Sequence, residues 1–235
     1  MALVELTHVS RTYHDHIDVR ALKDVTFSLE RKSFAAITGP SGSGKTTLLN
    51  VLGGLDRPDT GSIQIAGLDL TATPASQLAD FRLHHIGFIF QAFNLLPVLS
   101  VVENLEYIPA LQGMHKELRR RRAQDLLKAV GLEEVGSKRP NELSGGQQQR
   151  VAVLRAIITE PELVLADEPT ANLDSANALL LLDMMEQLNR EKGVTFVFST
   201  HDPRVMRRAR RVIRLLDGAV VADETQTQDA LPAPT

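Results

Sequence analysis

The chain has 235 residues, 43% of them hydrophobic, enough for one large domain or one domain with an inserted subdomain. A net charge of −3, aromatics at 4% and no tryptophan argue against a nucleic-acid surface built on bulk positive charge or base stacking. Cysteine is absent, which excludes disulfides and thiolate metal sites and suits a reducing compartment, and no apolar run reaches the ~20 residues of a membrane helix.

The opening MALVELTHVSR has no basic start followed by an apolar stretch, so no secretory signal is expected. LVELTHV and VTFSL alternate apolar and polar residues and predict half-buried antiparallel strands. FAAIT, residues 34–38, predicts a buried central strand that feeds directly into GPSGSGKTT. A helix is expected from Lys45 to about Leu52, and a strand at SIQIAG. Thr73 as N-cap and Pro74 as first helical residue predict a helix to about His84. IGFIF, residues 86–90, predicts another buried strand.

From residue 91 to 158 strand patterning nearly vanishes, which predicts a helical insertion. Ser100 with Glu103 forms a capping box ahead of a helix. KELRRRRAQDLLKAVG puts Leu118, Ala123, Leu126, Leu127 and Val130 on one side and stops at Gly131. The run Arg119, Arg120, Arg121, Arg122 is expected to be solvated or to face anionic headgroups. ELVLADE predicts a strand ending in carboxylates, and Asp174 or Ser175 caps a long helix stopped by Gly193. Within that helix Leu179 to Leu182 and Met184-Met185 are expected to pack in the core. VTFVFSTH predicts a strand, and RVIRLLDGAVVAD a hairpin turning at Asp217-Gly218. Residues 225–235 are expected to form a disordered tail, and His14, His16, His84 and His85 to lie at the surface. Strands alternating with helices predict a largely parallel α/β core.

Residues 39–46 satisfy G-x-x-x-x-G-K-[ST] at every fixed position. Glycines at 39, 42 and 44 allow backbone conformations and a close approach that a Cβ would block. The loop Gly39, Pro40, Ser41, Gly42, Ser43, Gly44, with Lys45, Thr46 and Thr47 opening the next helix, is read as a polyphosphate cradle. Lys45 supplies charge to the β and γ phosphates and Thr46 a hydroxyl to Mg²⁺. Asp167, at the tip of an apolar strand, is the expected second Mg²⁺ ligand. Glu168 is placed to take a proton from an attacking water. No Asn-Lys-x-Asp motif appears, which favours ATP over GTP.

The order and spacing of GPSGSGKT, Gln91 after an apolar strand, LSGGQ at residues 143–147, LVLADE, Asn172-Leu173-Asp174 and His201 resemble the nucleotide-binding domain of ATP-binding cassette (ABC) proteins. The resemblance covers about residues 2–222, and LSGGQ is its most specific element. It implies an α/β fold: a P-loop NTPase core of mainly parallel sheet, an N-terminal antiparallel β subdomain and an inserted α-helical subdomain. The core would span about residues 1–90 and 159–224, the insertion about residues 91–158. By position it implies that Tyr13 stacks on adenine, that Gln91 contacts Mg²⁺ or water, and that His201 contacts the γ-phosphate. It implies that Ser144, Gly145, Gly146 and Gln147 meet ATP held by a second copy of the chain, and that Asp174 communicates across that homodimer. Transmembrane permease subunits would then hold the ATPase as a peripheral protein at the cytoplasmic face of the inner membrane.

GFIFQAFNLLPVLSVVENL, GGLDRPDTG and LADEPTANLD look like ATPases of lipoprotein-release and macrolide-export type systems, whose permeases can carry a periplasmic domain. Leu154, Lys32-Ser33 and Ala171 depart from the common family residues without removing a catalytic group. Four other readings compete: the ATPase of an importer, a non-transport ABC protein acting on DNA or ribosomes, a P-loop phosphotransferase, and a degenerate cassette that binds ATP as a structural switch. A single cassette without sustained heptads argues against the second, LSGGQ with His201 against the third, and intact Lys45, Asp167, Glu168 and His201 against the fourth.

Overall fold

All five residues of Phe34–Thr38 are buried, as an uninterrupted apolar run demands of a central strand. The computed structural model describes residues 2–14 and 18–226. In chain order these form β1 (Ala2–His14), β2 (Asp18–Glu30), β3 (Phe34–Thr38), α1 (Lys45–Leu52), β4 (Thr60–Ile65), β5 (Leu68–Asp69), α2 (Ala75–His85) and β6 (Ile86–Ile89). Three helices follow: α3 (Val101–Leu111), α4 (Lys116–Ala129) and α5 (Gly145–Ile157). Then come β7 (Leu163–Asp167), α6 (Ser175–Lys192), β8 (Thr195–Ser199), α7 (Pro203–Arg208), β9 (Arg211–Leu216) and β10 (Ala219–Thr225).

Two sheets result. An antiparallel one has the order β2-β1-β4-β5. The other has the order β10-β9-β3-β8-β7-β6, parallel except for β10 at its edge. The two-residue period of the central strands divides the core between two faces. Phe34, Val164, Ala166, Phe196 and Phe198 pack toward α3, α4, α5 and α6. Ala35, Ile37, Leu163, Leu165 and Val197 pack toward α1 and the antiparallel sheet. The Phe34 and Phe198 rings meet with centroids 4.7 Å apart and planes tilted by 57°, a favourable aromatic arrangement.

The parallel register places the carboxyl ends of the strands in one row. Ser199 pairs with Asp167 on one side and Ile37 on the other. The turns after β3, β7 and β8 therefore open on the same edge, the usual place for a ligand in such sheets.

Most terminal signals act as expected. Ser100 and Glu103 form both halves of the capping box on α3. Asp174 caps α6, and Gly193 ends it in the left-handed conformation. Asp217 and Gly218 both have positive φ, as the hairpin turn requires. Four expectations need correction. Thr73 does not cap α2: the helix starts one residue later than expected, with Pro74 at the cap position, and the Thr73 hydroxyl donates to the Asp69 carbonyl oxygen at 2.6 Å. Leu118 is exposed, so the buried side of α4 is narrower than its apolar residues suggest. Leu179 and Leu180 are also exposed, while Leu181, Leu182, Met184 and Met185 are buried. Thr225 still pairs with Arg211 in the sheet, and Gln226 donates from its backbone to the Arg210 carbonyl oxygen; the rest of the expected tail lies outside the described residues, as does His16. Lys32, where the family commonly has glycine, takes a φ of +64°, a conformation glycine enters without strain.

Candidate active site

β3 hands its last residue, Thr38, to a loop that only glycine-rich sequence can close. A Cβ on Gly39 would lie 2.2 Å from the Leu215 carbonyl oxygen, and one on Gly44 would lie 2.3 Å from the Ala21 carbonyl oxygen. Gly44 has a φ of +102° and caps α1, so the helix N-terminus points into the loop. Lys45 folds back over it, its Nζ donating to the carbonyl oxygens of Gly39 at 2.8 Å and Pro40 at 2.9 Å.

A cavity of about 620 Å³ opens between this loop and the first two strands. Its lining includes Tyr13, Ser41, Gly42, Gly44, Lys45, Thr46, Thr47 and Glu168. Gly39, Pro40 and Ser43 shape the loop from behind; Ser43 is buried and its carbonyl oxygen accepts from the Gly218 amide. A groove of similar volume between α4 and the end of α6, with Arg31, Arg122 and Lys192 among its walls, shares no residue with this cavity.

The acidic pair at the end of β7 splits into two environments. Asp167 Oδ2 accepts from the Thr46 hydroxyl at 3.3 Å, and Asp167 Oδ1 is buried without a hydrogen-bond partner. An acceptor oxygen left bare beside a threonine hydroxyl is the donor set a hard divalent cation takes. Glu168 instead turns away with a φ of +44°, a strained value for a long side chain that its surroundings must hold, at a cost of about 1–3 kcal/mol. Its amide donates to the Ser199 carbonyl oxygen at 2.8 Å. Its carboxylate accepts from Thr200 Oγ1 at 3.3 Å and lies 2.7 Å from His201 Nδ1. The Glu168 side chain is 15% exposed and that of His201 75%, so the imidazole forms the outer wall of the pair.

The turn carrying His201 is itself braced. Thr200 Oγ1 accepts from the Asp202 amide, and Asp202 accepts from Thr170 Oγ1 at 2.6 Å and from Arg204. Burial alone would raise the Asp202 carboxyl; hydrogen bonds from Arg204 and Thr170 more than offset it and hold the group below its usual range.

LSGGQ opens α5. Ser144 is its N-cap, and a capping box joins Ser144 to Gln147: the hydroxyl accepts from the Gln147 amide, and Gln147 Oε1 accepts from the Ser144 amide at 3.0 Å. A Cβ on Gly146 would stand 2.4 Å from Asn177 Oδ1, whereas one on Gly145 would meet nothing closer than 3.9 Å. Asn177 in turn donates to Asp174 from its backbone and its amide group, which keep the Asp174 carboxyl low. The signature helix and the Asp174 turn are thus packed as one unit. Ser144, Gly145, Gly146, Gln147, Gln91, Asp174 and His201 do not line the cavity that holds Lys45.

Several supporting contacts carried no signal in the sequence, even where the residue itself belonged to a motif. Asn172 Nδ2 donates to the Gln91 carbonyl oxygen at 2.9 Å. Arg155, whose guanidinium pKa is pulled down by burial, donates to the carbonyl oxygens of Phe93 and Asn94. Those two residues have φ values of +59° and +52°, so a bent segment directly after Gln91 is clamped from α5. Thr200 was legible only as part of STHD, and nothing in the sequence around Arg155 marks its target.

Comparison with known proteins agrees with this arrangement. The model of the ABC transporter family matches residues 22–171. The ABC transporter ATP-binding protein YtrE of Bacillus subtilis is 48% identical over 86% of this chain and 88% of its own length. The macrolide export ATP-binding/permease protein MacB of Syntrophobacter fumaroxidans is 45% identical over 99% of this chain; the chain spans 34% of that relative's length. A solved dimer of the ATP-binding cassette MJ0796 bound to ADP and Pi is 41% identical, with a TM-score of 0.87 over 94% of this chain and 98% of that one. With phosphate loop, acid pair and signature stretch carried on this fold, the chain belongs to the ABC transporter family as one of its ATP-hydrolysing cassettes.

Proposed function

We propose that the chain is the ATPase subunit of an export, lipoprotein-extraction or mechanotransmission system, driving a separate membrane permease. The observation that carries the catalytic part is the cluster at one sheet edge: Lys45, Thr46 and Asp167 beside the braced Glu168–His201 pair. ATP lies in the cavity with its base toward Tyr13 and its phosphates over the loop at Lys45. Thr46 and Asp167 would hold Mg²⁺, with Gln91 as a further candidate for the ion or its water; once bound, the ion would neutralise charge on the phosphate oxygens. Glu168 orients a water in line with the γ-phosphorus and takes its proton as the new P–O bond forms and the bond to the β–γ bridging oxygen breaks. Lys45 and the loop amides stabilise the charge that spreads over the γ-oxygens, and ADP and phosphate leave.

Removing the ammonium takes away charge-assisted hydrogen bonds while leaving the loop backbone. Lys45→Ala is expected to weaken ATP binding about ten- to a hundredfold by calorimetry. Undiminished affinity would overturn the loop assignment.

The family relation to permease-fused relatives supports a membrane partner. No helix among the described residues is long and apolar enough to cross a membrane. Val98, Tyr107 and Leu111 stand exposed on and before α3, close in sequence to Gln91, and offer the permease an apolar contact. That contact would hold the ATPase as a peripheral protein on the cytoplasmic face of the inner membrane. The test is to purify the tagged chain with its detergent-solubilised partners from the source cell. A four-helix permease with a large periplasmic domain supports the export reading. A six-helix importer subunit with a solute-binding protein overturns it.

A further inference from the structure

The stretch GGLDRPDTG, residues 53–61, does not line the cavity at Lys45, yet its Asp56 holds the Tyr13 hydroxyl and its Asp59 holds Arg11 and the Thr12 amide. Tyr13 Oη donates to Asp56 Oδ2 at 2.8 Å. Arg11 reaches the same carboxylate, with Nε donating to Oδ2 at 3.0 Å and Nη2 lying 2.9 Å from Oδ1. Its Nη1 donates to Asp59 Oδ1 at 2.8 Å, and Asp59 Oδ2 accepts from the Thr12 amide at 2.6 Å. The Arg11 guanidinium carbon lies 4.9 Å from the centroid of the Tyr13 ring. Tyr13 lines the nucleotide cavity, while Arg11, Asp56 and Asp59 do not. The β1–β2 register shifts between Val9 and Arg11 and again before Thr12, after which Thr12, Tyr13 and His14 pair with Arg20, Val19 and Asp18, so Tyr13 follows directly on two ladder irregularities.

A tyrosine side chain free to change rotamer would otherwise lose that freedom when a base stacks on it. Here its hydroxyl is tied down and a cation sits over the ring, an attractive arrangement in its own right. We propose that Arg11, Asp56 and Asp59 are positioning residues for the nucleotide base, holding the Tyr13 ring as a preset stacking platform. This rests on the reading of Tyr13 as the adenine platform and gives the GGLDRPDTG stretch a physical role.

The test compares ATP with inorganic tripolyphosphate, which lacks a base, by calorimetry on the full chain. Tyr13→Ala is expected to weaken ATP about five- to a hundredfold and leave tripolyphosphate unchanged. Tyr13→Phe, Asp56→Ala and Arg11→Met are each expected to weaken ATP about two- to tenfold. They should raise KM for ATP without lowering kcat, and leave tripolyphosphate affinity intact. In a Tyr13→Ala background, Asp56→Ala should add no further loss, because the two act through one ring. Equal loss of tripolyphosphate affinity, or a further loss in that background, would show a merely structural role and overturn the proposal. Tyr13→Phe removes only the hydroxyl, so it decides the matter even if Asp56→Ala fails to fold; wild-type ATP affinity there, beside a weakened Tyr13→Ala, sinks the positioning role alone. Unchanged ATP affinity in Tyr13→Ala would instead remove the platform reading on which the proposal stands.

Discussion

Glu168→Gln is expected to bind ATP with wild-type affinity and to hydrolyse it about a hundred- to ten-thousandfold more slowly, the usual weight of a general base. The substitution keeps shape and removes basicity. Its amide oxygen can still accept from Thr200 Oγ1, which now lies 3.3 Å from the carboxylate. The backbone at position 168, with its φ of +44° and its amide bonded to the Ser199 carbonyl oxygen, does not depend on the side-chain charge. Lys45 and the phosphate loop lie on another segment and keep their contacts to Gly39 and Pro40. Binding and turnover should therefore separate cleanly.

The readouts are calorimetric affinity and steady-state phosphate release. Turnover near wild type would remove Glu168 as the base, because no change of geometry could compensate for the lost proton acceptor. A fall in affinity equal to the fall in rate would point to a damaged loop. The strained φ sharpens the expectation: backbone strain of about 1–3 kcal/mol persists only where the surroundings impose it. Here they aim the carboxylate at His201.

The sheet was legible because the strands announce themselves. Phe196, Val197 and Phe198 alternate between the two faces of the core as a two-residue period requires. The phosphate loop was legible because its glycines answer local needs, such as the 2.2 Å approach of a Gly39 Cβ to Leu215. What escaped depends on partners distant in the chain. Tyr13 donates its hydrogen bond to a carboxylate 43 residues away, and Arg155 reaches back 61 residues to Asn94. Composition cannot show such pairs. Exposed apolar residues misled for a different reason: four consecutive leucines on a helix cover all sides, so Leu179 and Leu180 must face outward when Leu181 and Leu182 face the core. Thr73 misled because the helix begins at Ala75 with Pro74 as its cap, one residue later than the Thr-Pro signal suggests, and the threonine instead belongs to the turn after Asp69.

Gly145→Asp is expected to leave ATP binding to the single chain intact and to abolish the ATP-dependent dimer, and with it hydrolysis. The structure selects this glycine over its neighbour. A Cβ at Gly146 would collide with Asn177 Oδ1 at 2.4 Å and disturb the Asp174 turn of its own chain, so a loss there would be ambiguous. At Gly145 the nearest atoms, Asn172 O and Phe93 Cζ, stand 3.9 Å away. An aspartate at the first residue of α5 also suits the helix dipole, so the fold should tolerate it. Within one chain, neither glycine lines the cavity at Lys45. A second helix N-terminus, of a kind that favours anions but lies away from its own chain's phosphate loop, gains a purpose if it closes the site of a partner across a two-fold axis. The new carboxylate would then face the partner's γ-phosphate, like charge against like charge in a closed interface. Light scattering in the Glu168→Gln background, where ATP is not consumed, reads the dimer directly. Should the double variant still dimerise on ATP, and Gly145→Asp alone still hydrolyse it at the normal rate, LSGGQ does not act in trans.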